Sequence, residues 1–170
     1  TLDLREAYFE ALKAHLDLKA LSGFSGVLYH DSMGGAGAGF LKGFLRHVGL
    51  EIPVRPIREE PHPLFHGVNP EPIPKNLGVT LAVLGPETPP SFAVATDGDA
   101  DRVGVVLPGG VFFNPHQVLT TLALYRFRKG HRGRAVKNFA VTWLLDRLGE
   151  RLGFGVTTTP VGFKWIKEEF

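Results

Sequence analysis

The sequence predicts an α/β protein built as two consecutive three-layer α/β/α domains with mixed, largely parallel sheets, the second truncated. Three observations predict it. Short apolar runs alternate with segments whose apolar residues recur every three or four positions, in both halves of the chain, the pattern of strands covered by helices. Its 21 glycines and 13 prolines among 170 residues make up about a fifth of the chain, against roughly 12% in average usage. They fall between the apolar runs and mark tight connections. The longest stretch free of charged side chains, residues 103–125, is broken by Pro108-Gly109-Gly110 and Asn114-Pro115-His116. It reads as strand, turn and helix, not as a membrane span.

Taken in order, Asp3 caps a helix over residues 3–20 whose apolar stripe is Leu4, Tyr8, Leu12 and Leu16, stopped by Ser22-Gly23. Residues 26–30 form a buried strand ending in Asp31. Gly34-Gly35-Ala36-Gly37-Ala38-Gly39 turns into a helix reaching Val48. Residues 52–57 are a strand that Pro53 and Pro56 push to a sheet edge. The proline-rich segment 58–75 is a long ordered loop, of a length associated with function in compact domains. A helix over 76–84, a strand over 91–95, an acidic turn over 96–102 and a strand over 103–107 follow. Pro108-Gly109-Gly110 divides a first domain, 1–107, from a second, 108–170. There, Pro115 opens a helix, followed by a strand over 135–141, a helix over 143–152, a strand over 154–158 and a helix beginning at Gly162.

Composition narrows the chemistry. With 44% hydrophobic and 21% charged residues the chain can bury a core and is not intrinsically disordered. The absence of cysteine excludes disulfides, thiolate zinc sites and a cysteine nucleophile, and suits the cytoplasm. A net charge of +2 provides no broad field for nucleic acid, and the acidic N-terminus has no signal-peptide core. The chain begins at Thr1 and its single methionine is Met33, so a processed start or a longer parent polypeptide is expected.

The most informative segment is Thr96-Asp97-Gly98-Asp99-Ala100-Asp101-Arg102. Three carboxylates alternate with small residues, so a tight bend brings their oxygens together. Two like charges about 4 Å apart repel by roughly 4 kcal/mol at an effective dielectric of 20. A divalent cation removes that cost, and an all-oxygen set suits Mg²⁺, with Mn²⁺ second. Arg102 adds a planar fork that matches phosphate. The segment also lies where a buried strand ends, the usual ligand edge of an open α/β sheet. A solvated acidic turn neutralised by Arg102 is the plainer reading. An EF-hand is excluded, because the sixth and twelfth loop positions counted from Asp97 are Arg102 and Pro108. A haloacid dehalogenase-type phosphatase, with Asp97 as nucleophile and Asp99 as acid/base, remains an alternative.

The glycines at 34–39 fit neither the dinucleotide fingerprint nor a P-loop; close approach of strand and helix explains them better. His62 and His66 have the spacing of a helical metal pair, but Pro61 and Pro63 argue against that helix. Arg126, Arg128, Lys129, Arg132, Arg134 and Lys137 form a solvated basic cluster at a helix end, without the aromatic platform of a nucleic-acid site. Thr157-Thr158-Thr159-Pro160-Val161-Gly162-Phe163-Lys164-Trp165 runs from strand through a glycine turn into a helix. Backbone N–H groups there can face an anion, with Lys164 one turn in; a surface lysine on an amphipathic helix accounts for it equally well.

Together these segments resemble the α-D-phosphohexomutases. Asp97-Gly98-Asp99-Ala100-Asp101-Arg102 is similar to that family's metal loop, and Pro160-Val161-Gly162-Phe163-Lys164-Trp165 to its sugar-phosphate loop. Gly34-Gly35-Ala36-Gly37 and Asn114-Pro115-His116 also fall where the family has similar stretches, and the likeness covers nearly the whole chain. The resemblance implies a phosphoglucomutase-type isomerase, interconverting hexose 1-phosphate and hexose 6-phosphate through a phosphoserine and a bisphosphate such as glucose 1,6-bisphosphate. It implies Mg²⁺ on Asp97, Asp99 and Asp101, phosphate contact by Arg102, and substrate binding by Val161, Gly162 and Lys164, with Lys164 also a proton-transfer group. Val161 stands where some members carry threonine. None of Ser22, Ser25, Ser32 and Ser91 lies in a Ser-His-Asn-Pro nucleophile loop, and no Gly-Glu-x-Ser sugar-selecting loop is present. The resemblance therefore implies domain II and most of domain III of a four-domain enzyme, partnered by domains I and IV and inactive alone. A non-catalytic metal- or phosphate-binding module is the remaining expectation.

Overall fold

The first unit is built around one five-stranded sheet. The computed structural model describes residues 3–169, and the chain divides into two units, Thr1–Phe113 and Asn114–Phe170. The first contains α1 (Arg5–Lys13), α2 (Leu18–Ser22), β1 (Leu28–Asp31), α3 (Phe40–His47), β2 (Val54–Ile57), α4 (Gly78–Leu84), β3 (Phe92–Thr96), β4 (Val103–Leu107) and β5 (Val111–Phe113). The strands lie in the order β2-β1-β3-β4-β5; β1 pairs in parallel with β2 and β3, while β3-β4 and β4-β5 are antiparallel. The sheet is mixed, and β2, with Pro56 in it, lies at the edge as its prolines predict.

Alternation along the strands sends side chains to two cores. Leu28, Phe92 and Val94 face a cluster with Phe9 of α1 and Phe44 and Leu45 of α3. Tyr29, Ala93, Ala95 and Val106 face the other, with Ile57, Leu77 and Leu84. α1 and α3 thus cover one face and α4 the other, giving three layers. Full burial of a leucine such as Leu77 or Leu84 contributes about 1.5–3 kcal/mol.

The sequence reading needs three corrections here. The helix expected over residues 3–20 is two helices. Asp17 accepts the Ala20 N–H at 2.9 Å and caps a new start, while Asp3 is no N-cap: that position is Leu4, and Asp3 receives the Arg5 N–H at 3.0 Å. The expected apolar stripe is also misplaced, because Leu4, Tyr8 and Leu16 are exposed and Phe9 is the buried anchor. Its ring meets Phe44 edge-on at 5.7 Å, over the Cα of Gly43. Finally, Pro108-Gly109-Gly110 is a hairpin turn within the first unit, since Val111–Phe113 completes its sheet.

The second unit holds α5 (Pro115–Arg128), β6 (Ala135–Asn138), α6 (Leu144–Leu152), β7 (Val156–Thr159) and α7 (Phe163–Glu168). α5 opens on a capping box, Asn114 accepting the Gln117 N–H and Gln117 the Asn114 N–H, with Pro115 at the first helical position. β6 and β7 are parallel, joined through α6, whose Leu145 is buried. Gly149 lets α6 close onto the sheet: an added Cβ would lie 2.7 Å from the Phe154 carbonyl. Lys137 is buried and ion-paired with Asp146, so it leaves the expected solvated basic cluster. Among the described residues no helix is long and apolar enough to cross a membrane.

Candidate metal centre and anion loop

Residues 97–102 form the β3–β4 hairpin loop, at the edge of the sheet where the parallel strands β1, β2 and β3 end. The loop closes on itself. Asp97 N–H donates to the Arg102 carbonyl at 3.3 Å, and Ala100 N–H to the Asp97 carbonyl at 3.2 Å. Ala100 takes a left-handed φ of 63°, which costs an L residue about 1–2 kcal/mol. One carboxylate oxygen from each of Asp97, Asp99 and Asp101 lies within 4.8 Å of the others. Asp97 is 1% exposed, whereas Asp99 and Asp101 are exposed: one acid is anchored and two are open.

Electrostatics separates them further. Burial pushes the Asp97 carboxyl up, but the Arg102 backbone N–H and guanidinium outweigh it and hold the group below its ordinary value. The Arg102 N–H donates to Oδ1 at 2.9 Å and its Nε to Oδ2 at 2.7 Å. Asp101 is shifted up, chiefly by the charge of Asp99, then by burial and by Asp97. The guanidinium also reaches Glu71 Oε1 at 3.3 Å and Asp101 Oδ1 at 3.6 Å. With both Asp97 oxygens engaged and the residue buried, the geometry opposes a nucleophilic Asp97.

The loop is braced from both sides by segments that sequence reading did not connect to it. Ala36 N–H donates to the Gly98 carbonyl at 2.9 Å, and Gly98 N–H to the Pro70 carbonyl at 3.2 Å. A Cβ on Gly35 would lie 2.5 Å from the Gly98 oxygen, and one on Gly37 2.7 Å from Thr96 Oγ1. The glycine cluster therefore serves approach of the β1–α3 loop to the acidic hairpin, a correction to the strand–helix packing expected. The long loop over 58–75 is a strap: Phe65 and Pro70 flank Gly98, and the Pro72 carbonyl lies 2.7 Å from where a Gly104 Cβ would stand. His62 and His66 stack at 4.7 Å. His62 Nδ1 accepts backbone N–H groups and His66 Nε2 bonds the Glu60 carbonyl, in keeping with a structural pair.

Beneath the strap, fully buried Asp31 is paired through both oxygens with Arg58, and Thr80 Oγ1 donates to it. Arg58 Nη1 continues to the Asn76 carbonyl at 3.3 Å, and Asn76 Nδ2 donates to the Glu71 carbonyl at 3.0 Å. The Pro-rich loop over 58–75 was the only signal for this network in the sequence.

Magnesium takes near-octahedral oxygen ligands at about 2.1 Å, which sets trans oxygens roughly 4.2 Å apart. Neighbouring (cis) oxygens lie closer, roughly 3 Å apart, so the three carboxylate oxygens, within 4.8 Å of one another, reach that spacing when the exposed Asp99 and Asp101 side chains draw in on the buried Asp97, and the all-oxygen set is the right kind. The residues fit the ion.

In the second unit, Val161 is exposed, Gly162 is the N-cap of α7 at φ 132°, and Lys164 is on the surface of that helix. The Lys164 amine lies 4.6 Å over the Trp165 ring. Thr159, at the end of β7, is buried with its hydroxyl bonded to the Lys137 and Pro160 carbonyls.

The architecture is that of an α/β/α domain pair carrying an aspartate-rich hairpin at a sheet's carboxyl edge. Residues 6–110 match the family model of phosphoglucomutase/phosphomannomutase alpha/beta/alpha domain II, and residues 114–170 that of domain III. The chain belongs to the phosphoglucomutase/phosphomannomutase family. It is 31% identical over 163 residues to a phosphoglucomutase/phosphomannomutase of Thermococcus kodakarensis, covering 94% of this chain and 34% of that protein. It is 32% identical to a probable phosphoglucosamine mutase of Pyrococcus abyssi, over 97% of this chain and 35% of the other. Its fold superposes on a phosphoglucomutase/phosphomannomutase family protein of Burkholderia thailandensis with a TM-score of 0.82 at 21% identity, covering 98% of this chain and 35% of that one. The Paramecium phosphoglucomutase parafusin gives 0.78 at 22% identity, over 96% and 31%. The chain spans about a third of the length of the curated relatives it matches.

Proposed function

We propose that this chain supplies the cation site and part of the sugar-phosphate site of a cytoplasmic phosphohexomutase, an isomerase interconverting hexose 1-phosphate and hexose 6-phosphate, with glucose phosphates as substrate. The observation that carries the reading is the crowding of three carboxylates on one braced hairpin in a family of this kind. Asp97, Asp99 and Asp101 would hold Mg²⁺, with Mn²⁺ as a substitute. When bound, the ion supplies a double positive charge that stabilises a phosphoryl group in transfer.

The chain's own residues divide the remaining work. Asp97, buried and already ionised by its Arg102 bonds, is the fixed ligand, and the exposed Asp99 and Asp101 close on the ion from solvent. Arg102 presents a planar fork to phosphate oxygens. The Gly162 turn and Val161 approach the sugar phosphate through backbone, while Lys164 binds its charge and moves a proton to or from a sugar hydroxyl. The phosphoserine and the sugar-selecting groups would come from domains I and IV and from the remainder of domain III, through a glucose 1,6-bisphosphate intermediate. Ser32 and Ser91 are bonded to the Arg58 carbonyl and the Val27 N–H, so neither is poised as a nucleophile.

The test is a magnesium titration of the 170-residue chain by calorimetry. Weak binding is expected, reduced roughly tenfold or more in Asp99→Asn, which removes a charged ligand. A flat titration of the wild-type chain overturns the reading. A parallel assay with glucose 1-phosphate and glucose 1,6-bisphosphate is expected to show no turnover by the chain alone.

A further inference from the structure

Arg102 is shared among three carboxylates, Asp97 and Asp101 of the acidic triplet and Glu71 outside it. Its Nε donates to Asp97 Oδ2 at 2.7 Å, and its Nη1 lies 3.3 Å from Glu71 Oε1. Asp97 belongs to the acidic triplet, so a cation taken by the triplet competes with the guanidinium for that oxygen and repels it. Glu71 lies outside the triplet, and its backbone is tied down on both sides. Its neighbour Pro70 accepts the Gly98 N–H, and its own carbonyl accepts Asn76 Nδ2. Asn76 is in turn held through its carbonyl by Arg58, the partner of buried Asp31. Pro72, on the other side, rests against Gly104.

We propose that Glu71 is a positioning residue: it keeps the Arg102 guanidinium beside the acidic hairpin once a divalent cation has claimed Asp97. The fork then remains available to a phosphate instead of swinging into solvent. The inference rests on the metal-binding reading above and adds a residue that the hairpin motif does not contain. Its chemistry is that of a charge-assisted bond between groups that are 61% and 40% exposed. The expected size is therefore that of a surface pair, with specificity coming from the braced backbone on both sides.

The test follows Arg102 directly in the full chain by ¹⁵N NMR, through the Nη–H signal of the group that faces Glu71, assigned by its loss in Arg102→Lys. At saturating Mg²⁺ the wild-type signal is expected to stay protected. In the isosteric Glu71→Gln its hydrogen exchange should be about two- to fivefold faster, the range of a surface ion pair, with Glu71→Asp in between. The Gly98 and Ala100 amide signals should stay in place. Unchanged Arg102 exchange in Glu71→Gln overturns the proposal. So does movement of the Gly98 and Ala100 signals, which would make Glu71 a support of the loop frame. Hairpin signals that do not respond to Mg²⁺ in the wild-type chain overturn the metal reading itself, and this proposal with it.

Discussion

The acidic hairpin and the glycine–lysine turn, the two candidate sites of this chain, are held in opposite ways. Around Asp97 the backbone is bonded on both sides, a carboxylate is buried, and two glycines exist to let neighbouring segments touch. Around Gly162, Phe163 is 87% exposed and Val161 58%, and the lysine rests on a tryptophan one residue away. A cation site must fix several like charges within a few ångströms before the ion arrives, so its cost is met by the fold that surrounds it. A site for a sugar phosphate can be presented on a turn and completed by its ligand.

The contrast can be broken most strongly from below. Arg58→Met would leave Asp31 charged and unpaired in the core beneath the strap. It should destabilise the chain by about 3–5 kcal/mol, read by denaturant unfolding; a loss under about 1 kcal/mol would show that the buried pair does not support the first site. Next in size, Gly35→Ala should cost about 2 kcal/mol by overpacking against the Gly98 carbonyl. Gly155→Ala in the second unit, whose Cβ would meet nothing nearer than 3.6 Å, should stay within about 0.5 kcal/mol. Equal effects of the two would erase the distinction.

A subtler test uses charge. Asp101 has its folded-state pKa raised, so its ionised form is disfavoured by the fold; it costs stability above that pKa and the cost disappears on acidification. Asp97 has the opposite sign: its contribution is full above the ordinary value of 3.8 and is lost as pH falls through the lower folded value. In EDTA at neutral pH, Asp101→Asn should therefore raise Tm, and with Mg²⁺ it should forfeit part of the wild-type gain. A variant that loses Tm in EDTA would contradict the crowding of the triplet. Smallest of all, Phe163→Ser should move unfolding free energy by no more than about 0.5 kcal/mol, as fits a ring that packs on little within its own unit.

Much of this was legible in the residues. The alternation of strands and helices, the edge position of β2 and the start of α5 follow from periodicity, from Pro53 and Pro56, and from Pro115. The gathering of Asp97, Asp99 and Asp101 follows from spacing on a tight turn. What escaped was long-range. That Gly35 faces Gly98, or that Glu71 meets Arg102 across 31 positions of chain, depends on how loops cross at a sheet edge, which no local pattern encodes. Phe9 displaced the stripe predicted for α1 because tertiary contact with Phe44 outweighed a four-residue rhythm.

Gly104 carries a consequence for how variation in this chain is interpreted. It is the second residue of β4, where a glycine would ordinarily pass for a weak strand residue open to improvement. Substituting valine there, a sensible consensus choice for a strand, would push against a carbonyl of the overlying segment. In a saturation screen, position 104 would score as intolerant for reasons that lie wholly outside its own strand.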